Sequence, residues 1–288
     1  MKKILVPVDF SENTWSVCKF ATLVSRHDHA EIKLFHSYFD QVIVTDSSFP
    51  TGIDTETMIN EQLLRDIKNR SHAAIVSLQG KLMEYLKKEK IANTKVIFTL
   101  EGGEPEYAIM ETARDYQPDY IVMGTSGSGN KGFLEGSVSR RVMNHADVPV
   151  FALPEMESIP VINNILYVSE IHENDISVLN ALFDILEPFN ISVHFLHILV
   201  HEDLEEAEKR LEPVRKYFSE QERQGSLSYH LKKETDIQED VENFIREKDI
   251  SMISFIPHKK SFISRLFSRT LTKKDLLQMN TPLLALKP

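Results

Sequence analysis

Five of the chain's ten glycines fall between positions 124 and 136, in the run Met123-Gly124-Thr125-Ser126-Gly127-Ser128-Gly129-Asn130-Lys131-Gly132-Phe133-Leu134-Glu135-Gly136-Ser137. The run follows the apolar stretch Tyr120 to Met123 and precedes a helical pattern from Ser137 to Asn144. Glycine lets a backbone approach phosphate oxygens closely and adopt positive φ. Amides that converge at a helix N-terminus, where the dipole favours negative charge, make an anion site. No Gly-Lys-Ser/Thr tripeptide opens the helix, so this is not a P-loop. The dinucleotide fingerprint would follow the first strand rather than the fourth. A plain flexible linker has no reason to sit between a strand and a helix.

A second candidate is Asp9, which ends the apolar run Ile4 to Val8. Its carboxylate could accept hydrogen bonds from ribose hydroxyls or an adenine amine, or serve as a charge at the N-terminus of the helix that follows. His194, His197 and His201 suggest a metal cluster, but a strand sends neighbours to alternate faces, and structural histidines are the expectation. Acid pairs such as Glu205-Glu206 and Glu239-Asp240 lie in charged helical runs and read as solvated faces; no acid/base pair stands out.

The elements that position these residues repeat. Lys3 to Asp9 matches Asn164 to Glu170, and Leu34-Phe35-His36 matches Phe195-Leu196-His197 at the same spacing. Further on, Asp119 to Leu153 aligns without a gap to Met252 to Leu286. The first copy therefore carries 28 additional residues, assigned to the polar stretch Thr45 to Thr55 and the helical pattern after it. The boundary between copies falls at Pro154 to Pro160, giving domains 1–154 and 161–288.

Within each copy, short apolar strands alternate with amphipathic helices, which implies a parallel sheet covered on both faces. Strands are expected near 3–9, 31–37, 94–100, 119–124 and 148–153. The first helix should open with Ser11 as N-cap and bury Val17, Phe20, Ala21 and Val24. Another should open at Pro105 and bury Ala108, Ile109 and Thr112.

Composition bounds the rest. A formal charge of −10 disfavours nucleic acid and anionic membranes as partners. No apolar run approaches the roughly 18 residues of a membrane span, and no signal-peptide core is expected. Cys18 is the only cysteine, so no internal disulfide can form, and a reducing, cytoplasmic compartment fits. Against this acidic background the stretch 258–274 has seven His, Lys or Arg residues and no acid. It reads as an amphipathic helix with a basic face, or as a site for an anionic partner.

Gly124, Gly127, Gly136 and Ser137 resemble the signature of the universal stress protein family: Gly, two residues, Gly, nine residues, Gly, then Ser or Thr. Here eight residues separate the second and third glycines. The resemblance extends to Ile-Leu-Val-Pro-Val-Asp-Phe-Ser at the start, to His36, and to Pro-Val-Phe-Ala-Leu at the close, and it covers both copies. It implies two tandem, doubly wound, five-stranded α/β domains of the Rossmann-like, adenine nucleotide alpha hydrolase-like type. The last strands, Val148 to Leu153 and Thr281 to Leu286, would pair the copies into an internal pseudo-dimer.

The resemblance also implies a bound ATP or AMP, with Mg2+ accompanying ATP, across the carboxyl ends of the strands. Pro7, Val8 and Asp9 would line adenine and ribose, with Ser37 beside the base. Met123, Gly124, Gly127, Gly136, Ser137 and Val138 would hold ribose and phosphates. In the second copy the gapless alignment puts Pro257, Lys260, Arg269 and Thr270 at the positions of Gly124, Gly127, Gly136 and Ser137, and Glu170 at that of Asp9. That copy should keep the fold and lose the ligand. The stretch Thr45 to Gly52 would cover the nucleotide. A nucleotide-responsive binding protein is the leading function; a slow ATPase or nucleotidyl transferase, and a nucleotide-free scaffold, are the alternatives. A homodimer is compatible with all three.

Overall fold

The computed structural model describes residues 1–26, 29–38, 53–125, 137–156, 158–159, 161–199, 203–233, 237–257 and 281–288, with backbone alone at 53–60, 137 and 237–240. The chain divides into two compact units, Met1–Val122 and Met123–Pro288.

In the first unit, β1 (Lys2–Pro7), α1 (Thr14–Val24), β2 (Ala30–Tyr38), α2 (Ile53–Lys88), β3 (Thr94–Gly102), α3 (Pro105–Tyr116) and β4 (Tyr120–Gly124) alternate strand and helix. The strands order as β3-β2-β1-β4 and run parallel. Ile4, Leu5, Val6, Ile32, Leu34 and Ile121 are wholly buried, as strands of a parallel sheet covered on both faces must be.

α1 buries Val17, Phe20, Ala21 and Val24 as expected, with Cys18 among them. It opens at Thr14 behind Asn13, not at Ser11. The delay has a local cause: Phe10 adopts φ 59°, and Ser11 is used in a turn against Asp9. α3 has Pro105 in its first turn and buries Ala108, Ile109 and Thr112.

The second unit continues with α4 (Ser137–His145), β5 (Val150–Leu153), β6 (Asn164–Val168), α5 (Asp175–Leu186), β7 (Ser192–Leu199), α6 (Leu204–Tyr217), α7 (Ser219–Gln224), β8 (Leu227–Lys233), α8 (Ile237–Glu247), β9 (Met252–Phe255) and β10 (Leu283–Ala285). Its strand order is β5-β10-β9-β6-β7-β8, parallel from β10 to β8. β10 runs antiparallel to β5, and Leu284 lies opposite Phe151, its own counterpart in the repeat. A strand pair joining equivalent edges in this way is isologous, and the two final strands expected to pair do so.

The backbone repeats in detail. Val8 N–H donates to Phe35 O at 2.8 Å, and Ser169 N–H to Leu196 O at 3.1 Å. Phe10 and Ile171 both have positive φ, 59° and 55°. Asp119 N–H donates to Lys3 O at 2.8 Å and Ser251 N–H to Asn164 O at 2.8 Å. Because Lys3 and Asn164 are counterparts, Asp119 corresponds to Ser251, one residue earlier than the gapless alignment placed it. Gly124 therefore has Ile256 as its counterpart and Thr125 has Pro257. β5 and β10 keep the original spacing, so the first copy is one residue shorter between its fourth and fifth strands.

Candidate functional site

The end of β1 carries the first group of candidate residues. Pro7 and Val8 are buried and Asp9 is exposed. Val8 is pinned twice, by its own N–H to Phe35 O and by His36, whose Nδ1 lies 2.7 Å from the Val8 carbonyl oxygen. The His36 ring also packs on Phe10 at 4.4 Å. Burial pushes the His36 pKa below the ordinary imidazole value, outweighing the opposite influence of the Val8 hydrogen bond and the Asp9 charge.

Asp9 Oδ1 accepts from Ser11 N–H at 3.1 Å, Ser11 Oγ at 2.6 Å and Thr14 Oγ1 at 3.3 Å. The carboxylate is thus both a helix-entry group and an oriented acceptor at the surface. Ser37, half-buried near the end of β2, stands in register with Glu101. The sequence reading overlooked Ser11 and Thr14 as orienters; the Asp-Phe-Ser run was their only signal.

The second group lies at the end of β4 and the start of α4. Met123 is buried, and Gly124 and Val138 are half-buried. Ser137 opens α4. Gly127 and Gly136 lie outside the described residues, as do the stretches Thr45 to Gly52 and 258–274. Thr125, absent from the sequence-based set, organises this region. Its N–H donates to Leu153 O at 2.8 Å and its Oγ1 to the same oxygen at 3.2 Å. Ser139 Oγ, one turn into the helix region, reaches the Thr125 carbonyl at 3.4 Å. The points from which the glycine-rich segment departs and at which it returns are therefore tied together. At the other end of α4, Lys287 Nζ donates to Met143 O at 2.9 Å, a cation placed where the helix dipole favours it.

The corresponding end of β6 is built differently. Asp175, the counterpart of Thr14, is fully buried and takes hydrogen bonds from Tyr167 OH at 2.7 Å, Ser169 Oγ at 2.7 Å and His172 N–H at 3.0 Å. Burial and the Asp175 charge raise the Tyr167 pKa well above the usual phenol value. Arg210 donates to the carbonyls of Glu170 and Ile171. The second copy thus keeps a partly exposed carboxylate, Glu170, at the position of Asp9, and adds a buried one, Asp175, consumed internally where the first copy has Thr14.

His197 repeats the part of His36, with Nδ1 2.9 Å from Ser169 O. His194 points to the other face and meets Ser228 Oγ at 2.8 Å. Among the described residues no three His, Cys, Asp or Glu side chains gather to hold a metal ion. No described helix is long and apolar enough to cross a membrane.

A doubly wound α/β module, repeated in tandem and closed edge to edge by its last strands, is the class that fold and site define. The family model of the universal stress protein family matches residues 1–154, and the chain belongs to that family. It is 29% identical over 153 residues to universal stress protein YxiE of Bacillus subtilis, a match spanning 51% of this chain and 95% of that protein. A universal stress protein of Methanocaldococcus jannaschii is 29% identical over 161 residues, 54% of this chain and 97% of its own length. Among solved structures, a universal stress protein from Archaeoglobus fulgidus superposes with a TM-score of 0.67 at 15% identity, covering 99% of this chain and 96% of that one. A putative universal stress protein from Pseudomonas aeruginosa gives 0.60 at 13% identity, covering 100% and 94%. These two show the fold over the whole chain.

Proposed function

We propose that the chain is an adenine-nucleotide-binding regulatory protein of the cytoplasm, in which the first repeat holds one ATP or AMP and the second holds none. The observation that carries this reading is the seat of the glycine-rich segment. β4 ends at Gly124, α4 opens at Ser137, and Ser139 ties the helix back to Thr125. Five glycines between a strand's carboxyl end and a helix N-terminus suit the amide-rich binding of phosphate.

In this reading Asp9, oriented by Ser11 and Thr14, accepts hydrogen bonds from ribose or the adenine amine, with Pro7, Val8 and Ser37 toward the base. Met123, Gly124, Gly127, Gly136, Ser137 and Val138 take ribose and phosphates. With no acidic cage among the described residues, Mg2+ would enter on the phosphates of ATP. The domains are read as 1–154 and 161–288. The second repeat serves as a scaffold, since Asp175 and Arg210 already satisfy the groups at the end of β6.

The test is mass spectrometry of nucleotide released on denaturing freshly purified protein, joined to calorimetric titration of the emptied chain with ATP and AMP. One equivalent bound, and weaker binding by Asp9→Ala, are expected. Retention of no nucleotide together with no heat from either ligand would reject the proposal.

A further inference from the structure

Among the described elements, α2 is where the two repeats differ most: 36 residues, against 14 and 6 in α6 and α7. At about 1.5 Å per residue it greatly outruns the nine-residue β3 beneath it. One side of its C-terminal half is committed to the domain. Ile75, Leu82 and Leu86 are buried, Gln79 Nε2 donates to Val96 O at 2.9 Å, and Tyr85 meets Trp15 edge-on at 5.5 Å.

The outward side has a different pattern. Val76 and Met83 are 42% and 54% exposed, and Ala73 and Gly80 are exposed with them. These four residues recur at intervals of three, four and three, the seam of a packed helix pair. Gly80 is the informative member. A glycine inside a helix destabilises it relative to alanine, yet a Cβ built at Gly80 meets none of the described atoms within 4 Å. Packing among the described residues gives no reason for it.

We infer that two copies of the chain pair through α2, antiparallel about a two-fold axis at the level of Leu78. That register sets Val76 on Gly80 of the partner subunit and Met83 on Ala73 of the partner subunit, so each large side chain meets a small one. The missing Cβ then lets the helix axes approach closely, as small residues at a crossing do. The charges agree with a second copy as the occupant. The same register brings Arg70 near Glu84 of the partner subunit, and neither side chain has an ion-pair partner among the described residues. Two-fold symmetry makes this pair, like every other contact, twice.

Sedimentation equilibrium of the full chain over about a hundredfold range of concentration should show a monomer–dimer equilibrium. Met83→Glu, a change at an exposed position, should raise the dimer Kd about tenfold or more while leaving the circular dichroism spectrum intact. Gly80→Ala separates the two readings of the glycine. If it admits a partner helix, the variant melts higher as a monomer but dimerises several-fold more weakly. Ser77→Cys, near the axis, should oxidise to a disulfide-linked dimer, whereas Lys88→Cys should not. A chain that stays monomeric throughout, a dimer indifferent to both Met83→Glu and Gly80→Ala, or equal cross-linking by both cysteine variants overturns the inference.

Discussion

The Nδ1 of His36 lies 2.7 Å from the carbonyl oxygen of Val8, and 161 residues later His197 and Ser169 make the same contact at 2.9 Å. Because the carbonyl can only accept, Nδ1 carries the proton that makes this bond. The bond also fastens the end of the first strand to the second in both copies, whether or not the copy keeps the features of a ligand site. Replacing His197, which is 3% exposed, by alanine should cost about 1–3 kcal/mol through the orphaned carbonyl and the lost packing. Urea unfolding would register it. Unchanged stability in His197→Ala would deny the histidine this structural role.

Histidines also set an acid limit on stability. Burial holds the pKa of His36 and His194 below 6.5, and burial with neighbouring His194, Lys248 and Lys232 takes His230 down to about 4. The unfolded chain then binds more protons than the folded one between pH 6.5 and each lowered value, so stability is full above 6.5 and falls as the pH drops through that window. Glu31, held low chiefly by its hydrogen bond from Lys95, adds a loss only below its ordinary value of 4.5. Urea midpoints should therefore decline already between pH 6.5 and 4.5, and His230→Gln should flatten the slope. A midpoint constant over that interval would contradict the assignment.

The two carboxylates at the starts of the first helices should answer very differently to mutation. Asp175→Ala strands Tyr167 OH, Ser169 Oγ and His172 N–H in a buried site, and the expected loss is about 3 kcal/mol. Asp9→Ala removes an exposed acceptor bonded to Ser11 and Thr14, and should cost less than about 1 kcal/mol. Equal losses in guanidinium unfolding would mean that Asp175 is not held as a buried acceptor.

Much of this was legible from residue order because strand ends and helix starts carry local signals: Pro105 at a first turn, the apolar run before Asp9, the two histidines of the repeat. Three features were not. The start of α1 slipped from Ser11 to Thr14 because a positive φ at Phe10 lets Asp9 make its own turn first. The alignment of the fourth strands slipped by one because Tyr120 to Met123 and Met252 to Phe255 are continuous apolar runs, which match in more than one register; only the hydrogen bonds of Asp119 and Ser251 decide. The roles of Thr125 and Ser139 depend on the return of α4 to the end of β4, a contact that no linear pattern specifies.

Cys18 offers a simple probe of integrity. It is fully buried, and burial pushes its thiol up to about 12, outweighing the opposing charge of Lys81. Since thiolate is the reactive form, Ellman's reagent should leave the native chain untouched at pH 8 and titrate one thiol per chain in guanidinium. Rapid labelling of the native protein would place α1 in a loosened state.

Stoichiometry bears most directly on the proposed function, because the two repeats share a backbone and differ in what fills the carboxyl end of the first strand. In the first, the carboxylate of Asp9 is exposed and the glycine-rich segment leaves from Gly124. In the second, Glu170 is overlaid by Arg210 on its carbonyl, and Ile256 and Pro257 stand where Gly124 and Thr125 do. Pro257 cannot donate the hydrogen bond that Thr125 N–H gives to Leu153 O. Calorimetric titration should accordingly give one ATP or AMP per chain. A valine at Gly127 or Gly136, placed where amides must approach phosphate, should weaken binding at least about tenfold. Asp9→Ala should remove hydrogen bonds that contribute on the order of 1 kcal/mol each, while substitutions at Lys260 or Arg269 should leave affinity within about twofold. Two equivalent sites per chain, or a Gly127→Val protein that binds as tightly as the parent, would show that the asymmetry between the repeats is not an asymmetry of ligand binding.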